Sequence, residues 1–224
     1  MLLSSVLLSA FFAGVVATLV TVAIEKFGGR TGGVLATVPT TIVPAAIGMY
    51  SMSSGPEFDR AMSVVPLGML VNALFLLVWM KVPTRFGTGL MSTMILSLLV
   101  WALVGTIGLY GADLIQENGL SELSFGLLLL LILVLLGIWS TWTTVHAPKG
   151  KHRVRPLVLV ARGGAAALAI GCAVWLSSLS YAMISGLVST FPAIFLTSMV
   201  ALWLSQGQDV PQGAAGPMML GGAS

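Results

Sequence analysis

The sequence predicts an all-α membrane protein of about seven transmembrane helices, arranged as two inverted-topology repeats with the second incomplete. Three observations predict it. Charged residues make up 8% of the chain and hydrophobic residues 57%, whereas an average soluble domain carries about 25% charge. The apolar residues fall in blocks, several of which reach the ~20 residues that cross ~30 Å of hydrocarbon at 1.5 Å per residue. A Gly-x3-Thr-x-Pro motif occurs twice, at Gly33–Pro39 and Gly186–Pro192.

The seven apolar segments run over 3–24, 33–50, 61–80, 88–110, 123–142, 156–178 and 182–204. The first lacks a basic leader and continues past the length of a signal-peptide core, so it reads as a span rather than a cleaved leader. The second contains Pro39 and Pro44 and is the weakest span. A re-entrant hairpin there would put Lys81 and Arg85 on the outside and break the charge pattern, which favours crossing. The remaining five are long, and no Asp or Glu lies deep inside any of the seven, Glu25 sitting at the end of the first.

Basic and acidic links alternate. Lys26 and Arg30, Lys81 and Arg85, and the run Lys149, Lys151, Arg153 and Arg155 follow the odd segments. Glu57, Asp59, Asp113, Glu117 and Glu122 follow the second and fourth. The positive-inside rule then sets the N-terminus outside and the C-terminus in the cytoplasm, in what reads as a bacterial inner membrane. Tyr50, Tyr110 and Tyr181 fall at outer ends, and Trp79, Trp139, Trp142 and Trp203 at inner ends, as interfacial rings do. Trp101 and Trp175 do not fit that inner group.

Two units follow: residues 1–145 as a first repeat of about five helices, and 156–224 as a second of about two helices and a tail. From each motif the order Gly, hydroxyl, Pro, aromatic, acidic residue and Pro is kept in phase, ending at Pro66 and Pro217. Five segments separate the copies, so the second crosses in the opposite sense, the design of many secondary transporters. The residues after Pro211 are too few to span, so either the chain is truncated or the second half has lost its later helices. A homodimer could supply them.

The chemistry is expected at the two motifs. Pro39 and Pro192 lack an N–H and would free the carbonyls of Leu35 and Val188 in regular helices. In lipid such a carbonyl needs a hydroxyl, water or solute as partner. Thr37, Thr40, Thr41, Ser189 and Thr190 supply hydroxyls, with Thr197 and Ser198 nearby. The bland alternative is a kink in which each Thr bonds back to its own helix, with Gly33 and Gly186 only admitting close helix contact. For paired motifs a midplane cavity is slightly favoured.

Arg162 lies a turn or two into the sixth segment, and snorkelling to the cytoplasmic interface is its favoured reading over contact with an anionic substrate. Asn72 reads as an interhelical hydrogen bond rather than a ligand. His146 and His152 have no Cys or Asp nearby, so no metal site and no cofactor are expected. Ten basic residues spread over short loops give no nucleic-acid face. No nucleophile–base pair or carboxylate cluster lies at membrane depth, which argues against an enzyme.

The stretch Gly-Gly-Val-Leu-Ala-Thr-Val-Pro-Thr-Thr at 32–41, followed by an aliphatic run and a short Gly/Glu turn, resembles the core of small bacterial GlpM-like membrane proteins. The run from Gly186 to Gly207 is similar. The resemblance implies a fused pair of such modules and no particular substrate. The expected partners are the lipid bilayer and an unknown small solute. The expected function is a transporter or permease binding that solute between two Pro-broken helices, with a non-transporting scaffold or assembly subunit as the alternative.

Overall fold

Apolar residues on every side of a helix are the mark of a segment whose outer face meets lipid, and most helices here have that composition. The computed structural model describes residues 2–27, 41–53, 55–119, 121–143 and 156–222. The described residues form ten α-helices: α1 (Leu2–Phe27), α2 (Ile42–Met52), α3 (Pro56–Ser63), α4 (Val65–Phe86), α5 (Leu90–Glu117), α6 (Glu122–Thr143), α7 (Pro156–Ser178), α8 (Ala182–Ser189), α9 (Ala193–Gln206) and α10 (Asp209–Gly221). No strand occurs among them.

Five helical stretches are long and apolar enough to cross a membrane: Pro56–Phe86, Leu90–Ile115, Glu122–Trp142, Pro156–Ser178 and Ala182–Leu204. The protein is therefore an all-α integral membrane protein. These stretches match five of the expected segments closely. The second segment differs: its described part is an 11-residue helix, α2, too short to span alone. The link after it is helical too, since Pro56 starts α3 where a missing N–H costs nothing and Glu57 and Asp59 meet the positive helix end.

The core is built on α4. Leu67, Val71, Phe75, Leu76 and Trp79 recur every three or four residues along one stripe and are almost fully buried. Against that stripe pack Trp101 of α5, Leu129 and Leu133 of α6, Leu187 of α8, Met199 of α9 and Met219 of α10. Half of the most apolar window of Pro56–Phe86 is buried, against 22% for Leu90–Ile115, so α4 is central and α5 faces outward. Trp79 is fully buried against its neighbours, donating its N–H to Ser97 Oγ at 3.1 Å. Burial of so large a ring is favourable provided its one polar group is met.

A second layer joins α1 to α7 through small residues. A Cβ added at Gly14 would stand 3.0 Å from the Gly163 carbonyl oxygen, and one at Gly171 3.3 Å from Ala10 Cβ. With no apolar-to-water gain available in lipid, contact between helices comes from such close approach and van der Waals packing. Ala13, Ala45, Met49, Ala61, Ile170 and Val174 fill the space where α1, α2, α3 and α7 meet.

The last element corrects the expectation of a tail. Despite three glycines, residues 209–221 form α10, which packs against α4, α6 and α9 and buries Val210, Pro211, Ala215 and Met219. Leu220 sits so close to α6 that a Cβ at Gly137 would lie 2.9 Å from its Cα.

Candidate functional site

The α8–α9 break has a local cause. Pro192 has no N–H to give, so α8 closes early, with the Thr190 and Phe191 amides bonded three residues back to the Leu187 and Val188 carbonyls at 3.1 and 3.0 Å. Regular helix resumes with the Leu196 amide on the Pro192 carbonyl at 2.8 Å. The Val188 carbonyl is thus occupied, contrary to the expectation that it is freed. The tighter turn satisfies it, and the orphan moves two residues on, to Thr190.

Asn72 of α4 meets that orphan. Its Nδ2 donates to the Thr190 carbonyl at 2.8 Å, and its Oδ1 accepts the Trp101 indole N–H at 2.9 Å. The Trp101 ring stands edge-on to Phe191, with centroids 5.3 Å apart. Asn72, Thr190 and Trp101 are buried, where an unmet polar atom would cost ~1–3 kcal/mol. Gly68, one turn before Asn72, lets α4 come this close, because a Cβ there would collide with the Thr190 side chain. Asn72 is an interhelical bond, as expected, and its partner is the break itself.

The hydroxyls in the break bond inward. Ser189 Oγ donates to the Gly186 carbonyl and Thr190 Oγ1 to that of Leu187, both at 2.6 Å. Thr197 and Ser198 do the same to Ala193 and Ile194 at 2.8 and 2.6 Å. Each hydroxyl oxygen can still accept a hydrogen bond. Gly186 faces α3, where a Cβ would run into the Ala61 carbonyl, so it is a point of close helix contact as expected.

Beside the break lies a cavity of about 60 Å³. Its polar lining comes from Asn72, Ser189 and Thr190, with Pro192 at the break and Thr41 at the start of α2 across the space. Met69, Ala166, Ile170 and Phe195 form its apolar wall. A water needs ~10–15 Å³ measured this way, so the volume holds a few waters or a small solute group. Of the expected binding residues, Thr41, Ser189, Thr190 and Pro192 come together here. Thr37, Pro39 and Thr40, the contact residue Gly33 and the carbonyl of Leu35 lie outside the described residues.

Arg162 is 7% exposed and donates from Nη2 to Ser198 Oγ at 2.7 Å, tying α7 to α9. Its head is thus met by a hydroxyl of α9, and Arg162 has a further interaction beside it. Arg162 precedes Ala166 by one turn and Ser198 follows Ile194 by one, and both Ala166 and Ile194 line the cavity. The arginine thus sits one turn beyond the cavity, toward the end where α7 begins.

Sequence reasoning missed Trp101 as part of this site. The signal was present: a Trp placed away from both headgroup belts needs an acceptor for its N–H, and the amide of Asn72 is the fitting group in the neighbouring span. Comparison of the chain with models of protein families, with curated proteins and with solved structures finds no match.

Proposed function

We propose that this protein is a transporter or permease for a small polar solute, held between the start of α2 and the α8–α9 break. What carries the reading is the convergence of Thr41, Ser189, Thr190 and Pro192, from opposite ends of the chain, on one small cavity inside an apolar bundle. A broken helix at such a cavity, with hydroxyls and an amide around it, is how many transporters bind solute away from water.

The arms on either side are read as inverted copies. Gly55, which leads into α3, and Gly207, which ends α9, are 152 positions apart and have φ of 71° and 90°, a conformation glycine adopts without strain. Each is followed by a helix with acid in its first turn. The likeness of 32–41 and 186–207 to GlpM-like proteins bears on these module boundaries and not on a substrate. We read the N-terminus as outside and the C-terminus as cytoplasmic, from the alternation of basic and acidic links. In support, Arg60 pairs with Asp113, joining the two acidic links, while Lys81 stands 5.6 Å above the Trp139 ring at the basic end. Solute would pass as one arm rocks against the other, with the Arg162–Ser198 contact closing the cytoplasmic side.

A scaffold without transport is the second reading, favoured by one observation: Ser189, Thr190, Thr197 and Ser198 all donate to carbonyls of their own helices. The test is a melting series of the detergent-purified protein against ions, sugars, amino acids, nucleosides and organic anions. Transport predicts a concentration-dependent rise with one class, lost in Thr190→Ala. A flat series with an intact, sharp melt favours the scaffold.

A further inference from the structure

Between α3–α4 and α6 runs a groove of about 620 Å³, within the size range of small-molecule sites. Two carboxylates, Asp59 and Glu122, stand on its lining, and no basic residue lines it among the described residues. The neighbouring Arg60 is engaged with Asp113. The body of the groove is apolar, formed by Phe58, Met62, Leu127 and Leu130. Its α6 wall is open to lipid, since Leu123 and Leu127 are 74% and 56% exposed. Its floor is shared with the small cavity, because Ile42, Met69 and Gly222 line both.

We infer that this groove binds an amphipathic organic cation, its positive group beside Asp59 and Glu122 and its apolar body along α6. The charge at the rim selects the sign. A wall that opens to hydrocarbon and carries aromatic, methionine and leucine side chains selects an apolar body over a hydrated ion. The shared floor makes the groove the antechamber of the cavity, and this route inward rests on the transporter reading.

The test uses two ions of one shape and opposite charge, tetraphenylphosphonium and tetraphenylborate, in equilibrium dialysis against the full chain in detergent. Gly126→Phe serves as the blank, since a Cβ at Gly126 meets only Pro66 Cγ, at 3.5 Å, and the ring would fill the groove. Leu130→Trp is a second filling variant should the first fail to give a sharp melt. The expected result is phosphonium binding at least about tenfold tighter than borate, falling about tenfold in Asp59→Asn/Glu122→Gln and weakening with salt. Equal binding of the two ions, or phosphonium binding untouched by the charge or filling variants, would overturn the proposal. A polar solute that still stabilises the protein through Thr190 while phosphonium fails to bind would sink the groove alone. Phosphonium binding with a flat polar series would leave the groove as a ligand site and remove the transporter reading.

Discussion

Asn72 and Arg162 are both polar groups deep in the bundle, and they are handled in opposite ways. Asn72 is neutral and serves a backbone defect: it caps the Thr190 carbonyl and anchors the Trp101 N–H, so three helical segments meet on one amide. Arg162 is charged and is itself the group to be served, by Ser198 and by its further interactions. Loss of the first leaves partners stranded. Loss of the second removes the most expensive group from a low-dielectric region. The comparison teaches that a polar residue in lipid is structural when others depend on it and dispensable to the fold when it depends on others.

The largest expected effect comes from the seat of the Asn72 contact. Gly68→Leu drives a side chain into Thr190 and should cost about 3 kcal/mol or more, read as a drop in melting temperature or loss of folded protein. A wild-type melt in that variant would mean that α4 and the break are not in contact. Next, Asn72→Leu should cost roughly 2 kcal/mol, since it strands the Thr190 carbonyl and the Trp101 N–H together. Its double-mutant cycle with Trp101→Phe should show coupling of about 1 kcal/mol, and additivity would break the proposed chain of bonds.

Arg162→Met should leave the melt within about 1 kcal/mol of wild type, or raise it, because a buried cation yields to an apolar chain of similar reach. A loss of several kcal/mol would show that other groups lean on Arg162 as they do on Asn72. Smallest of all, Ser198→Ala should cost under about 1 kcal/mol, as Arg162 keeps its other interactions. Uptake into proteoliposomes, measured beside each melt, separates a role in closure from a role in folding.

Much of the fold is legible in residue order. Runs of apolar residues bounded by charge place five long helices to within a few positions, and Pro192 after Gly186 and Thr190 marks the break. What is not legible is what lies across the bundle. The Thr190 carbonyl and Asn72 are 118 residues apart, and no local pattern couples them. For Arg162, the sequence neighbours give the distance from the basic loop but not the partner, the hydroxyl of Ser198 on α9. Residues 209–221 read as a tail because too few residues follow Pro211 to span; their Gly and Pro also lower helix propensity, yet contact with α4 and α6 sets the outcome. The same small residues that weaken the local signal permit the close approach that makes the helix.

The α1–α7 seam has a mechanical meaning. Where Gly14 meets Gly163 and Ala10 meets Gly171, backbone rests almost on backbone, with no long side chain between to swing into a new rotamer as the surfaces slide. Such a joint has little slip. The two helices behave as one beam of double thickness, and a force applied at either end reaches the other as rotation of the whole beam rather than shear along it.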